Sequence, residues 1–221
     1  MSIIASVFVP EGIAMAADSR TTLSLPHDDG KIESFTVSDN AQKVFALSKI
    51  PIGISSCGSS IIDHKTIADY IRVFEINKLT REDTILSAVE KLAMDLIELH
   101  IENSVIFQVC GYLNDEPYVY RIIGGQVKRQ NINSEQSIIY NLMWNGELDA
   151  LQNLLLGPNG NLIFCEFMPL KDAIDLSEFL VDVTIKYQRF QSKLATCGGP
   201  IDILVITKDY IKFFKHKVLN P

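Results

Sequence analysis

Three residues with reactive side chains flank apolar segments in the first quarter of the chain. Asp18 follows the apolar segment 13–17, Lys43 precedes a second segment, and Ser2 precedes a third. Carboxylate, ammonium and hydroxyl groups are the types that proteins use for acid–base and nucleophilic chemistry. A run of small residues at 53–60 leads directly into a predicted helix. Each feature alone is typical of a buried strand that emerges into solvent, but their combination favours a shared site.

The elements that would position these residues are mostly strands joined by tight turns. The predicted strands cover residues 3–9, 13–17, 44–47, 52–56, 105–110, 118–123, 126–130, 201–207 and 210–214. Only three residues, Pro10, Glu11 and Gly12, separate the first two strands, so these strands are predicted to be antiparallel neighbours. Residues 21–34 are polar and contain Pro and Gly, which predicts a loop or a long excursion of the chain.

Helices are predicted where apolar residues recur at helical spacing. Ile67, Ile71 and Phe74 mark the first helix. The second is predicted to open at Thr80, because acidic residues follow in what would be its first turn. The other two helices are predicted over residues 147–155 and 170–191.

The order of the elements is strands, two helices, strands, two helices, strands. Parallel α/β folds alternate strand and helix one by one, and this chain does not. The order predicts an α+β fold with two antiparallel sheets packed face to face and helices outside. No repeat or Gly/Ser-rich linker divides the sequence, so residues 1–221 are predicted to form one domain.

Composition excludes several functional classes. The 221 residues are 47% apolar and 21% charged, which is unlike a disordered chain. A net charge of −7 argues against sequence-independent nucleic-acid binding and against docking on an anionic membrane. No targeting segment and no membrane-spanning run is recognised, so a cytoplasmic location is predicted.

The cysteines and histidines are too scattered to predict a disulfide framework or a metal site. Cys57, Cys110, Cys165 and Cys197 form no C-x-x-C pair, which is typical of core residues in a reducing compartment. The histidines, at positions 27, 64, 100 and 216, lack ligand spacing. The sequence therefore predicts neither a metal nor a cofactor.

The pattern as a whole resembles the proteasome β-subunit family of the N-terminal-nucleophile hydrolases. The resemblance covers most of the chain and is strongest over residues 2–75 and 195–215. The matching segments are Ser2-Ile3-Ile4-Ala5-Ser6-Val7, Gly12, Ala16-Ala17-Asp18-Ser19-Arg20, Gln42-Lys43-Val44-Phe45, residues 53–63 and Cys197-Gly198-Gly199-Pro200 with the strand after it. The resemblance implies a four-layer αββα sandwich.

The resemblance also implies roles for particular residues. Ser2 occupies the position of the family's N-terminal nucleophile, and serine after the initiator Met1 is small enough for methionine aminopeptidase. Removal of Met1 would give Ser2 a hydroxyl and an α-amino group with a pKa near 7.7–8.0, which makes it a base close to working pH. Lys43 would favour the neutral amine and stabilise developing negative charge, and Asp18 would hold Lys43 in place.

The remaining implied site residues lie in the run of small residues. The backbone N–H of Cys57 or Gly58 would form the oxyanion hole. Ser55 and Ser59 would face the pocket for the substrate's side chain. The substrate implied is a peptide or another amide.

Two departures from the family pattern keep an alternative open. The active family has an aspartate where this chain has Leu194, and a serine where it has Asn145. Ser192 or Asp202 would be the substitutes at hand. The chain is therefore predicted to be a hydrolase or, alternatively, a catalytically inactive scaffold or ring subunit of the same fold; a binding module that reuses the fold is the third alternative.

The resemblance implies partners as well as a reaction. Family members assemble into rings or stacked rings, so a homo-oligomer is predicted. An ATPase partner is compatible with the resemblance but leaves no mark in the sequence. Nucleic acid and membrane are not predicted as partners.

Overall fold

The computed structural model describes residues 2–27, 30, 32–156 and 163–219. The strands within these residues are β1 (Ile3–Val9), β2 (Gly12–Ala17), β3 (Thr21–Pro26), β4 (Ile32–Ser38), β5 (Val44–Ala46), β6 (Ile52–Gly58), β7 (Ile61–Ile62), β8 (Lys65–Thr66), β9 (Val105–Leu113), β10 (Glu116–Ile123), β11 (Gln126–Arg129), β12 (Asn141–Gly146), β13 (Asp202–Ile206) and β14 (Ile211–Lys215). The helices are α1 (Ile67–Lys78), α2 (Ile85–Glu98), α3 (Asp149–Leu155) and α4 (Leu170–Arg189), with a short 3-10 helix at Cys165–Phe167. None of the helices described is long and apolar enough to cross a membrane.

Most of the strands belong to two five-stranded antiparallel sheets. The first sheet has the order β12-β1-β2-β13-β14, and the second has the order β11-β10-β9-β6-β5. In the hairpin of β1 and β2, Val9 lies opposite Gly12, which confirms that these strands are antiparallel neighbours. The prediction of a mixed α+β chain with antiparallel sheets is also confirmed.

Three clusters of buried apolar side chains hold the sheets and helices together. One cluster joins α1 and α2 to the second sheet and includes Ile71, Leu92 and Phe107. Another joins the first sheet to α4 and includes Leu180. The third contains residues of both sheets, among them Met15. Each side chain of this size stabilises the fold by about 1.5–3 kcal/mol when it is buried.

β1 is buried along its whole length, and all of its residues except Ser6 are apolar, because both of its faces are covered. Ile3, Ala5 and Val7 pack in the cluster that contains α4, whereas Ile4 and Phe8 pack in the cluster shared by the two sheets. β2 is antiparallel to β1, so the start of β1 and the end of β2 lie at the same edge of the sheet. This edge is where Ser2 and Asp18 meet.

Of the two possibilities for residues 21–34, a loop is wrong for the described part, because this part forms an excursion that is folded as the hairpin of β3 and β4. The polar residues that suggested a loop pair across the hairpin instead; for example, the hydroxyls of Ser24 and Ser34 lie 2.7 Å apart. Leu23 and Phe35 face each other on the other side of the hairpin and are both more than one-third exposed. Residues 28, 29 and 31 lie outside the described residues.

One predicted helix start is wrong, and another differs by two residues. α2 begins after Thr84, because Thr84 and Ser87 form a reciprocal capping box, while the Asp83 carboxylate closes a separate turn by accepting from the N–H of Thr80. α3 begins at Asp149, because Gly146 and the residues before it belong to β12, a strand that the sequence pattern did not reveal.

Candidate functional site

The carboxylate of Asp18 is the centre of the candidate site. Its Oδ1 accepts hydrogen bonds from the backbone N–H of Ile3 at 3.1 Å and from Nζ of Lys43 at 2.8 Å. Its Oδ2 accepts from the N–H groups of Arg20 at 3.1 Å and Gly198 at 3.0 Å. Asp18 is 1% exposed, so these four donors replace water around a buried charge. They connect β1, β2, Lys43 and the segment that precedes β13.

Lys43 lies immediately before β5 and forms a buried ion pair with Asp18. The side chains are 8% and 0% exposed, respectively. Nζ of Lys43 also donates to the carbonyl oxygen of Arg20 at 2.6 Å. The ammonium is thereby fixed by two short hydrogen bonds and has a defined position.

Ser2 lies immediately before β1, at the same edge of the sheet. It is buried, and its carbonyl oxygen accepts from the N–H of Glu147 at 2.8 Å. The next N–H along the chain, that of Ile3, is bound by Asp18. Ser2 is therefore held between the end of β12 and Asp18. Met1 lies outside the described residues.

A cavity of about 620 Å³, which we call the site cavity, opens beside these residues. Ser2, Lys43, Cys57 and Gly58 all line it. The hairpin of β3 and β4 contributes to its wall, as do the turn after β6 and the start of α1. The volume falls in the range of about 300–1,000 Å³ that is common for sites that bind small molecules. The predicted nucleophile, the predicted lysine and both candidates for the oxyanion hole thus share one opening to solvent.

The strand pattern of β6 distinguishes the two candidates for the oxyanion hole. The N–H of Ser56 donates to the carbonyl oxygen of Lys43 at 2.9 Å, on the side of β5. Successive backbone N–H groups along a strand point to opposite neighbouring strands. The N–H of Cys57 therefore points to β9, and the N–H of Gly58 points to the β5 side, just beyond the start of β5. The site cavity lies on that side. This direction favours Gly58 as the donor.

Gly58 has a conformation that a larger residue would not adopt easily. Its φ is +107°, and a Cβ atom built on it would lie 2.2 Å from the carbonyl oxygen of Ser104. The N–H of Ser59 donates to the same oxygen at 2.8 Å. Gly58 is the last residue of β6, so its N–H lies at the end of the strand.

The two serines predicted to contact the substrate have different positions. Ser59 is exposed and lines the site cavity. Ser55 is completely buried in the sheet, does not line the site cavity, and its hydroxyl donates to Oε1 of Gln108 at 3.5 Å. Ser56, the next residue, lines the cavity in its place. The structure therefore does not bring Ser55 to the site.

The positions where the chain departs from the family pattern are occupied in different ways. Leu194 is 40% exposed and carries no polar group. Asn145 lies opposite Ile4 in the first sheet, and its Oδ1 accepts from Nε2 of Gln108 at 3.0 Å. Asp202, a substitute suggested by the sequence, is buried in an ion pair with Lys217.

Arg20 bridges Asp39 and the backbone of Ala195 near the site, and this interaction was not predicted. Nε and Nη2 of Arg20 donate to the two carboxylate oxygens of Asp39 at 2.6 and 2.9 Å, and Nη1 donates to the carbonyl oxygen of Ala195 at 3.2 Å. The hydrogen bonds from Arg20 lower the pKa of the Asp39 carboxyl. Arg20 was recognised only as the end of a motif, and no sequence signal indicated Asp39.

The cysteines are buried and free, as the sequence predicted. Burial raises the pKa of Cys57 and of Cys110 to about 12 and also raises that of Cys165 and Cys197. Among the described residues, no group of three or more His, Cys, Asp or Glu side chains is arranged to hold a metal ion. A thiol is therefore a poor candidate for the nucleophile, although Cys57 lines the site cavity.

Thiol titration tests this assignment. At pH 8, a thiol with a pKa near 12 is a thiolate only to about one part in 10⁴. We expect the native protein to show no rapidly reacting thiol and the denatured protein to show all four. Rapid modification of one thiol in the native state, with loss of activity, would point to a cysteine nucleophile instead.

Comparison with known proteins supports the fold assignment. No protein-family model matches the sequence, and no curated protein matches it. Among solved structures, the Anbu (Gly-1) mutant from Hyphomicrobium sp. strain MC1 is similar to 97% of this chain, over 85% of its own chain, with a TM-score of 0.64 and 17% sequence identity. Anbu has a proteasome-like fold of the N-terminal-nucleophile hydrolases. This chain shares that fold, and the likeness does not single out a proteasome β-subunit.

Proposed function

We propose that this protein is an N-terminal-nucleophile hydrolase that cleaves peptide or other amide bonds through Ser2. The observation that carries the proposal is that Ser2 lines the same cavity as Lys43, whose ammonium is fixed by the buried carboxylate of Asp18. The proposed architecture is a single domain with the four-layer αββα arrangement. The three apolar clusters support that arrangement, since each joins two neighbouring layers.

In the proposed reaction, Ser2 supplies both the nucleophile and the base after Met1 is removed. The Oγ of Ser2 attacks the carbonyl carbon of the amide while its neutral α-amine takes the hydroxyl proton. The C=O electron pair moves to the oxygen, which the N–H of Gly58 stabilises together with the charge of Lys43. The C–N bond then breaks, the α-ammonium gives its proton to the departing amine, and an ester of Ser2 remains. Water hydrolyses the ester by the same steps.

The cavity wall supports a substrate with an apolar group beside the cleaved bond. Leu23, Val37 and Ile61 line the site cavity and are each more than two-fifths exposed. Burial of these side chains against a substrate would contribute about 25 cal/mol per Å² of apolar surface. A peptide with an aliphatic or aromatic side chain provides such a surface.

The second candidate function is a catalytically inactive scaffold or ring protein of the same fold. The exposed Leu194 and the amide of Asn145, which replace an acid and a hydroxyl of the active family, favour this alternative. Exposed apolar side chains on the outer helices, such as Met94 and Ile97 of α2, favour an assembly of copies.

Labelling of Ser2 separates the two candidates. The wild-type protein and a Ser2→Ala variant are treated with an electrophilic hydroxyl probe such as a β-lactone, and intact mass and peptide mapping follow. We expect the purified protein to lack Met1, Ser2 to carry the probe, and Ser2→Ala to carry none. Retention of Met1, or equal labelling of both proteins, would contradict the hydrolase. Ring-sized particles without any labelling would support the scaffold.

A further inference from the structure

A second buried carboxylate, which no sequence signal indicated, lies on the opposite side of Ser2 from Asp18. Glu147 follows the last residue of β12 and is only 8% exposed. Its Oε1 accepts from the hydroxyl of Thr196 at 2.6 Å. Among the described residues, no lysine or arginine forms an ion pair with it. A buried carboxylate that is held only by a neutral hydroxyl retains capacity for a cationic donor.

The backbone places Glu147 directly opposite Ser2. The register of β1 and β12 pairs Ile3 with Gly146, and the N–H of Glu147 donates to the carbonyl oxygen of Ser2. The N and C=O of one strand residue point to the same neighbouring strand. The nitrogen of Ser2 therefore also faces the chain at Glu147. Removal of Met1 would turn this nitrogen into an α-amine.

A short segment before β13 links Glu147 to Asp18. Thr196 bonds the Glu147 carboxylate, and the N–H of Gly198 bonds the Asp18 carboxylate. Between them, burial raises the pKa of Cys197, and the charges of Asp18 and Glu147 raise it further, against the opposing effect of Lys43. The two carboxylates and the ammonium therefore surround the same small region.

We infer that Glu147 is a positioning residue for the α-amine of Ser2, and that its carboxylate supplies the charge that the chain lacks at Leu194. The inference rests on the proposed function, because it concerns the amine that would act as the base. The amine would lie between Glu147 on the β12 side and the Asp18–Lys43 pair on the β2 and β5 side. A negative charge stabilises an ammonium, so Glu147 makes this amine more basic, whereas Lys43 makes it less basic.

The test replaces Glu147 with glutamine, which keeps an oxygen for the Thr196 hydroxyl but removes the charge. Carbamylation by cyanate of the Met1-free protein, followed by peptide mapping, reports the fraction of neutral Ser2 amine at each pH and does not require hydrolase activity. We expect the midpoint of the pH dependence of Ser2 carbamylation to fall by about one pH unit in Glu147→Gln. The same samples are labelled at the Ser2 hydroxyl, and we expect about 3-fold slower labelling on the high-pH plateau, because a less basic amine is a weaker general base and the proton is only partly transferred in the transition state.

Two further variants make the result specific to charge at this position. Glu147→Asp keeps the charge, and we expect its carbamylation midpoint to stay close to that of the wild type. If Glu147→Gln does not fold, the Glu147→Asp variant still tests whether a carboxylate at this position sets the midpoint. Asp83→Asn removes another carboxylate with little exposure, one that accepts from the hydroxyl of Ser87 in the first turn of α2 and pairs with Lys91. We expect Asp83→Asn to lower the thermal stability but to leave the midpoint unchanged.

The outcomes separate this inference from the proposed function. A Ser2 hydroxyl that is labelled in the wild type, with the same carbamylation midpoint in Glu147→Gln, overturns the role of Glu147 and leaves the hydrolase intact. A wild type that is carbamylated at Ser2 but never labelled at its hydroxyl overturns the hydrolase, and the inference with it. Retention of Met1 overturns both.

Discussion

Replacement of Lys43 by methionine is expected to slow the labelling of the Ser2 hydroxyl by about 10³-fold or more. In the proposed mechanism, Lys43 supplies positive charge next to the reacting oxygen and keeps the α-amine neutral. Methionine fills a similar volume but carries no charge. The rate of probe labelling at fixed pH, measured by intact mass, gives the size of the effect.

The same substitution is expected to lower the free energy of unfolding by about 3–5 kcal/mol. The side chain of Asp18 is 0% exposed, and without Lys43 its carboxylate keeps only the three backbone N–H donors. A buried charge that loses its counter-ion is strongly destabilising, because desolvation is no longer offset by the ion pair. Chemical denaturation at neutral pH measures this loss.

A double variant separates the effect of Lys43 on the labelling rate from its effect on the free energy of unfolding. In Lys43→Met with Asp18→Asn, both charges are absent, so we expect stability to recover in part while labelling stays lost. As a matched surface control, Lys65→Met breaks the exposed ion pair with Asp63. We expect this substitution to change the free energy of unfolding by about 1 kcal/mol or less. If Lys43→Met were labelled at the wild-type rate, Lys43 would be a structural partner of Asp18 and no more.

The sequence allowed the main part of the candidate site to be predicted because its residues lie at strand ends. Ser2 precedes β1, Asp18 follows β2 and Lys43 precedes β5. The tight turn between β1 and β2 is visible in the sequence, and it brings the first two of these residues to one edge. The contact of Lys43 with Asp18 came from the family resemblance, since nothing local in the sequence pairs residues in different sheets.

The parts that were missed depend on three properties of the folded chain. These are the face of a strand on which a side chain lies, the pairing of strands, and contacts between residues far apart in the sequence. Ser55 and Ser56 are both small, and only the face of β6 on which each lies decides that Ser56 lines the cavity. The hairpin of β3 and β4 was missed because it is exposed and pairs polar residues. Glu147 was missed because it meets Thr196, 49 positions later in the chain.

Gly146→Ala is expected to have the second large effect, because Gly146 brings the backbone of β12 against Ser2. Its φ is +105°, a conformation that costs an alanine about 1–3 kcal/mol. A Cβ atom built there would lie 1.8 Å from the carbonyl oxygen of Ser2, so one of the two strands must move. We expect a loss of stability of about 3 kcal/mol or more.

Gly30→Ala is the matched control, since it separates conformational strain from the overlap with Ser2. Gly30 also has a positive φ, +79°, but a Cβ atom there meets no atom within 4 Å. We therefore expect Gly30→Ala to lose only the stability that the strained φ costs, and to leave labelling of the Ser2 hydroxyl unchanged. Gly146→Ala should lose both stability and labelling, because any displacement of Ser2 moves the hydroxyl away from Lys43 and Gly58. Equal effects of the two substitutions on stability and labelling would mean that β12 does not hold Ser2 in place.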